Sequence, residues 1–428
     1  MRPLRVLDAG RPAAVLVALR AALSEGGPAV LPRDGGAQGG RPAGDGAPVE
    51  GTVAQSVALV IETSGSTGPP KRVALSADAL LASAAASAGA MGGQGQWLLA
   101  LPVHYVAGVQ VLVRSLAAQT EPVCVEEGRF EAERFARAAD RLDHDLRYTS
   151  LVPVQLARLM DAIEGGSRTV AEAVRRFDGI LVGGQALDPR LRERAVTAGA
   201  RILSTYGSSE TAGGCVYDGA PIGTTLVREV AGTLEVSGPS LAEGYLGEPE
   251  RTAAVFHEQE GVRWYRTGDL GSVVDGRVRV RGRADNVIIS GGEKVLLDAV
   301  ERVVRERPGY EAAVVVGAAD AEWGQVPVVV VGGGTGERGV VTARGAGGSG
   351  SSSESTVEDM EDMEDMEDME GGEELTALRA SVARSLGRAA APSRILRVRE
   401  LPRLGSGKPD RPRIGRIAAG SGDSGTEA

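Results

Sequence analysis

Ser56–Lys71 reads SVALVIETSGSTGPPK: an apolar run followed by a loop of glycine and small hydroxylated residues that ends in a lysine. Gln55 to Glu62 reads as a buried strand, with Val57 to Ile61 apolar throughout. In Thr63–Lys71 the small residues let backbone N–H groups and hydroxyls surround a polyphosphate, and Lys71 adds charge. The string is not a Walker A loop, which needs G-x-x-x-x-G-K-[ST]. A bare Gly/Ser loop also reads as a flexible turn; the whole string placed after a strand is far more specific.

Working outward, Ser76 can cap an Ala-rich helix that reaches about Ala90. Phe130 to Leu142 carries Phe135, Ala139 and Leu142 at helical spacing. Tyr148 to Val152 reads as a strand, with Pro153 suited to the first turn of the next helix. Gly179 to Val182 is another strand. Asp188 and Pro189 then form an N-cap and N1 pair, Gly199 closes that helix, and Arg201 to Thr205 is the next strand. This βαβ alternation predicts a parallel sheet covered by helices. From Gly232 the texture turns to short strands and turns, GTLEVSGP and GRVRVRGRAD. After Asp285 comes an α+β unit, with a helix over Leu297 to Arg307 and strands at Ala312 to Val316 and Val326 to Val331. The expected class is therefore α/β. A large domain over residues 1–284, β-rich from about 220, precedes a small α+β domain over 285–428. Gly332 to Glu374, Gly/Ser-rich and then an EDM repeat from Glu358 to Met369, reads as a disordered acidic insertion. Gly334, Gly336 and Gly339 match GxGxxG, but no helix is expected after them, which argues against a dinucleotide site.

Composition narrows the function. The net charge of −10 argues against a nucleic-acid surface. No apolar run is long enough to span a membrane, and Asp8, Arg11 and Arg20 interrupt the N-terminus in a way unlike a signal peptide. Cys124 and Cys215 form no CxxC pair, so a reducing cytoplasm is expected; with three His, a Cys/His metal cluster is not. The 47 Lys and Arg residues include only three lysines, Lys71, Lys294 and Lys408. An ammonium is a compact point charge and a guanidinium a planar fork, so the three lysines are candidates for places where Arg does not serve; chance and a GC-rich genome would explain why Lys is rare, but not where the three fall. Each lysine lies beside glycine-rich or turn sequence.

The loop Thr63, Ser64, Gly65, Ser66, Thr67, Gly68 to Lys71 resembles the phosphate loop of the acyl-adenylate-forming superfamily of acyl-CoA synthetases, luciferases and adenylation domains. Further motifs follow in that superfamily's order. Gly183-Gly184-Gln185 resembles its adenine-side loop. Tyr206-Gly207-Ser208-Ser209-Glu210-Thr211 resembles the YG-x-T-E string, in which the aromatic stacks on adenine and the Glu binds Mg2+; Ser209 stands where Thr is usual. Arg266-Thr267-Gly268-Asp269 resembles the RTGD string, whose Asp holds the ribose hydroxyls. Gly282-Arg283-Ala284-Asp285 resembles the hinge motif, with Arg283 toward the nucleotide and Asp285 the pivot of a mobile C-terminal domain. Leu404-Gly405-Ser406-Gly407-Lys408 resembles the loop that carries the catalytic lysine. Lys294, with Gly291 and Gly292, either faces the phosphates of coenzyme A or solvates a loop.

Leu101–Ser115, LPVHYVAGVQVLVRS, is similar to the acyl-pocket segment of the o-succinylbenzoate–CoA ligases of menaquinone synthesis, as are TSLVPVQLARLM at Thr149–Met160 and SSETAGGCVYDG at Ser208–Gly219. That resemblance implies ATP, Mg2+ and coenzyme A, a small carboxylic acid as substrate, and an acyl-adenylate intermediate. His104, Tyr105, Arg114 and Ser208 are the expected acid-binding residues. A guanidinium fork matches a carboxylate, so Arg114 is a candidate for the non-reacting carboxylate of a diacid; the competing reading is a surface charge on an apolar helix. His104 falls one place before the family's His position, where Tyr105 stands, and also reads as a core or capping residue. Cys215 reads as a small hydrophobe. Two other functions stay open: an adenylation enzyme or ligase for another acid, loading a carrier protein or CoA, and a non-catalytic homologue.

Overall fold

The computed structural model describes the chain apart from residues 36–48, 64–69, 127, 334–338, 343–357, 405–407 and 421–428; for 49–50, 339–342 and 358–371 it describes the backbone alone. Two compact units emerge: Met1–Thr267 with Gly271–Arg279, and Gly268–Leu270 with Val280–Ala428. The chain thus crosses into its second unit at Val280, a few residues before the expected boundary, and the Gly268–Leu270 segment goes with that unit too.

In the first unit the N-terminal elements are β1 (Arg2–Asp8), α1 (Pro12–Ser24), β2 (Ala29–Arg33), β3 (Val49–Val53), β4 (Val57–Thr63), β5 (Lys71–Ser76) and α2 (Ala77–Met91). The Ser76 hydroxyl caps α2 by accepting from the Ala79 N–H at 3.3 Å, as expected from its place before the Ala-rich run. Next come β6 (Gln96–Leu99), α3 (Val106–Ala118), β7 (Val123–Cys124), α4 (Ala132–Ala139), β8 (Arg147–Leu151), α5 (Pro153–Glu164), α6 (Arg168–Arg175), β9 (Gly179–Val182), α7 (Pro189–Thr197), β10 (Ile202–Ser208), β11 (Gly213–Tyr217) and β12 (Ala220–Pro221). Asp188 accepts from the Arg190 and Leu191 N–H groups at the start of α7, with Pro189 at N1.

Strands β6 to β10 build the expected parallel layer, in the order β10-β9-β8-β6-β7. Its edge is antiparallel, because Tyr206 to Gly214 turns back so that β11 pairs with β10. Strands β8 and β9 are buried along almost their whole length; β9, GILV, reads accordingly as a continuous apolar run, while β8, RYTSL, buries Thr149 and Ser150 as well. The other large sheet is mixed: β1 runs parallel to β2 and β2 to β4, while β3 and β5 are antiparallel additions. Helices α1, α2 and α3 contribute Leu19, Leu80 and Leu112 to one core with Leu59, Ile61 and Leu75 of β4 and β5. Helices α4 to α7 close a second core around Phe135, Leu159 and Phe177.

The β-rich part contains β13 (Leu226–Val230), β14 (Thr233–Ser237), β15 (Gly244–Tyr245), α8 (Pro249–Val255), β16 (Phe256–Gln259), β17 (Val262–Val274) and β18 (Arg277–Arg283). Strand β15 leaves this part to pair with β5.

The remaining elements are β19 (Val287–Ser290), β20 (Glu293–Leu296), α9 (Leu297–Arg305), β21 (Val314–Asp320), β22 (Gly324–Gly332), β23 (Gly339–Thr342), α10 (Glu358–Leu386), β24 (Arg394–Val398) and α11 (Arg411–Ala418). They surround a core of Val300, Val304, Val315, Val329, Leu375, Leu378, Val382 and Ile395. The reading of Gly332–Glu374 as one disordered insertion needs correction. Strand β23 pairs with β24, and the EDM repeat forms the first turns of α10. Glu and Met are good helix formers, and the repeat runs without a break into Leu375, Leu378 and Val382, whose helical spacing anchors α10 in this core. Residues 343–357 and most of the GxGxxG string lie outside the described residues.

Candidate active site

Strands β4 and β5 hold the two ends of the phosphate-loop string in register: Thr63 pairs with Lys71. Ser64, Gly65, Ser66, Thr67 and Gly68 lie outside the described residues. The Thr63 hydroxyl is buried without a hydrogen-bond partner among the described residues.

The other motifs of this unit gather at the carboxyl ends of the parallel strands, where open α/β sheets bind their ligands. Gly183 and Gly184 follow β9, with Gln185 next in the chain. A side chain at Gly183 would meet the Thr205 hydroxyl at 2.2 Å, so the adjacent strand requires glycine there. Tyr206, Gly207 and Ser208 end β10, and Ser209 to Thr211 form one 3-10 turn into β11. Gly207 lies against the Gly213 carbonyl, which a Cβ would approach to 2.0 Å. Thr211 fixes this turn: its hydroxyl accepts from the Ser208 N–H at 2.9 Å and donates to the Gly213 carbonyl at 2.7 Å. The Ser208 hydroxyl is buried and unpartnered among the described residues.

The turn presents Glu210 inward, 3% exposed. Its Oε1 takes the Lys71 ammonium and, at 2.8 Å, the Tyr245 hydroxyl, while Lys71 Nζ also reaches that hydroxyl at 3.2 Å. Burial raises the pKa of Glu210, but the charge and hydrogen bond of Lys71 and the hydrogen bond from Tyr245 outweigh it and hold the carboxyl below its ordinary value. Burial, reinforced by that carboxylate, pushes the Tyr245 phenol well above its own, so it remains a donor.

The acid-pocket segment forms the loop after β6 and helix α3. His104 and Tyr105 stack with ring centroids 4.1 Å apart just before the helix. His104 Nδ1 is buried without a hydrogen-bond partner among the described residues, and burial lowers the His104 pKa against the pull of Asp34, which favours the neutral ring. From α3, Gln110 donates to the Ala212 carbonyl at 2.7 Å, which ties the helix to the Glu210 turn. Arg114 is 6% exposed, which overturns the surface-charge reading. Its guanidinium lies 4.8 Å from the Trp97 ring centroid and reaches the Ser150 hydroxyl at 3.5 Å; Nε has no partner among the described residues. Burial draws its pKa down. Among the described residues no carboxylate pairs with it. Cys215 is buried, and burial pushes its thiol up to about 12, as befits an inert apolar side chain.

In the second unit, Arg283 joins Asp269 and Asp285: Nη1 lies 3.2 Å from Asp269 and Nη2 3.1 Å from Asp285. Asp298 accepts from the Arg283 N–H at 3.0 Å and fixes the backbone there. Gly291 and Gly292 form the tight turn between β19 and β20, and Lys294 is exposed on β20 opposite Ile289. Lys408 closes a turn whose Leu404 N–H donates to the Lys408 carbonyl at 2.8 Å; Gly405 to Gly407 lie outside the described residues.

Tyr245 and Trp97 lie in no quoted motif, and Ser150 and Gln110, though inside the acid-pocket strings, are not singled out by them; all four meet the site through tertiary pairing. No helix among the described residues is long and apolar enough to cross a membrane.

Residues 14–246 match the family model described as AMP-binding enzyme. The chain is 38% identical over 376 residues, 86% of each protein, to the "Probable 2-succinylbenzoate--CoA ligase" of Mycobacterium tuberculosis (strain CDC 1551 / Oshkosh). It is 33% identical over 279 residues to the 2-succinylbenzoate–CoA ligase of Salmonella typhimurium (strain LT2), covering 63% of this chain and 56% of that one. Among solved structures it resembles the Bacillus subtilis o-succinylbenzoate CoA synthetase in complex with its acyl-adenylate intermediate. The TM-score there is 0.64 at 25% identity, over 84% of this chain and 69% of that one. An E. coli MenE variant with bound OSB-AMS shares the fold, with a TM-score of 0.70 at 23% identity over 98% of this chain and 88% of that one. With the strand-end motifs, the Lys71–Glu210 pair and these similarities together, the chain belongs to the AMP-binding enzyme family.

Proposed function

We propose that this protein ligates 2-succinylbenzoate to coenzyme A at the expense of ATP, through an acyl-adenylate, in menaquinone biosynthesis. The observation that carries the choice of acid is Arg114, a buried guanidinium with no carboxylate partner among the described residues. An unpaired buried cation is costly, and the second carboxylate of a diacid would offset that cost. The names of the relatives support the same acid.

Mg2+ uses one or two carboxylates and completes its shell with water and substrate phosphates. Glu210, buried, kept ionised and beside the lysine that ends the phosphate-loop string, fits that requirement. When bound, the cation supplies charge neutralisation at the phosphate oxygens. Thr63 to Gly68 and Lys71 are the proposed polyphosphate cradle. Gly183, Gly184, Gln185, Tyr206, Gly207 and Ser209 are the proposed adenine side, and Asp269 and Arg283 the proposed ribose and nucleotide contacts. His104, Tyr105 and Ser208 would line the acid pocket.

In the first step the reacting carboxylate attacks the α-phosphorus and pyrophosphate departs. Charge grows on phosphate oxygens, and Lys408 is the proposed cation that meets it. In the second step the CoA thiol attacks the acyl carbonyl, the thiol proton is lost and AMP departs. Gly291, Gly292 and Lys294 are proposed for CoA and Asp285 as the pivot between the two steps. Both co-substrates are cytoplasmic metabolites, which suits a cytoplasmic enzyme.

The test is pyrophosphate release over a panel of carboxylic acids, with CoA, with a carrier domain and with neither. The expected result is that 2-succinylbenzoate gives the highest turnover and yields its CoA thioester. Preference for a monoacid, or transfer to the carrier alone, would refute the assignment.

A further inference from the structure

Tyr245 belongs to none of the motifs above, yet it completes a three-way contact in the first unit. Its hydroxyl donates to Glu210 Oε1 at 2.8 Å and accepts from Lys71 Nζ at 3.2 Å, while that ammonium pairs with the same Oε1. Both side-chain partners of Glu210 among the described residues thus fall on one oxygen. The Lys71 ammonium also lies 4.9 Å from the Tyr245 ring centroid.

The phenol itself is firmly placed. Tyr245 pairs with Val73, two residues from Lys71 on the same strand. Its N–H donates to the Thr252 hydroxyl at 2.9 Å, and Arg251 lies 5.3 Å from its ring centroid. The segment around it holds Glu210 twice, since the Ala242 N–H donates to the Glu210 backbone carbonyl at 2.8 Å. A carboxylate's last torsion is broad and nearly two-fold, so donors converging on one oxygen fix which oxygen remains for another partner.

We propose that Tyr245 is a positioning residue for adenylation: its hydroxyl anchors Glu210 through Oε1 and holds Lys71 beside it, leaving Oε2 to the divalent cation. This rests on the reading of Glu210 as the cation ligand. Tyr245 touches no reacting atom; it acts through Glu210 and Lys71.

Tyr245→Phe removes the hydroxyl and keeps the ring. Single-turnover acyl-adenylate formation should slow by about tenfold. The Mg2+ concentration for half-maximal rate should rise several-fold, and the KM for the carboxylic acid should stay unchanged. Calorimetry without the acid supplies a readout independent of turnover: the preference for Mg·ATP over metal-free ATP should shrink. Groups acting as one unit are non-additive, so Tyr245→Phe should add little to Glu210→Gln. 4-Aminophenylalanine at position 245, which keeps a donor there, should restore much of the rate. Should the Phe variant melt below the assay temperature, 4-methylphenylalanine, which fills the hydroxyl's volume without a polar atom, replaces it under the same criteria. Wild-type rate and Mg2+ dependence in the variant, or effects that add fully to Glu210→Gln, would overturn the proposal. If Glu210→Gln itself changes neither rate nor Mg2+ dependence, the cation-ligand reading fails instead, and the two failures are distinguishable.

Discussion

At the scale of single residues, Arg114 shows a binding group held at a cost to the free protein. Its guanidinium is withdrawn from water, and among the described residues the Trp97 ring and the Ser150 hydroxyl attend it. Arginine stays charged even so, because its ordinary pKa is so high. An isolated buried charge destabilises, and replacing it by an apolar side chain of similar length is often neutral or stabilising. Arg114→Met should therefore leave the melting temperature equal or higher. It should also lower kcat/KM for 2-succinylbenzoate by about 1.5–3 kcal/mol, the worth of a charge-assisted contact. An analogue lacking the succinyl carboxylate should be nearly insensitive to the change. Equal losses for both acids, with a lower melting temperature, would make Arg114 a packing residue.

At the scale of elements, strands β2, β4 and β5 are tied at the edge of the phosphate-loop string by Glu62. Arg33 grips it with Nε and Nη2 at 2.9 and 2.8 Å, and Arg72, opposite it in the β4–β5 register, adds a contact at 2.9 Å. The hydrogen bond from Arg33 is the main cause of its lowered pKa; burial opposes it, and the charge of Arg33 and the contact from Arg72 add to the lowering. A folded-state pKa below the unfolded one means stabilisation that is complete above the unfolded carboxylate value and is lost as pH falls through the folded value. Glu62→Gln should cost about 1 kcal/mol at neutral pH, since the group is partly exposed and screened. Denaturant melts of both proteins across acid pH should show that difference shrinking below about pH 4. A difference independent of pH would mean that shape, not charge, matters at this position. The element was legible in the sequence, since VALVIE reads as a buried strand. The three-way tie was not, because Arg33 comes from a strand that no motif marked.

At the scale of the whole molecule, the EDM repeat is the feature furthest from any known motif. It leads into α10, whose buried contacts come from Leu375, Leu378 and Val382. Removing Gly345 to Gly371 keeps all three. Adenylation should stay within a few-fold, and the melting temperature should be nearly unchanged, because the core contacts of α10 made by Leu375, Leu378 and Val382 lie beyond the deleted stretch. Collapse of either measure in the truncated protein would show that the segment packs or gates. The same region marks where composition misleads: a repeat that reads as disordered is joined by helix propensity to an anchored amphipathic segment.

The sequence by itself determined the class of fold and the order of the nucleotide motifs. Apolar runs, caps at Ser76 and Asp188, and short glycine-rich strings are local signals, each written within a few residues. Only the tertiary structure decided that Arg114 is buried, that the Tyr206–Gly214 turn makes the sheet edge antiparallel, and that Tyr245 meets Glu210 across 35 residues of chain. Those contacts depend on which strand edges pair and which helix faces are covered. No local pattern encodes them, because burial and partner choice are properties of the packed layers rather than of the segments that enter them.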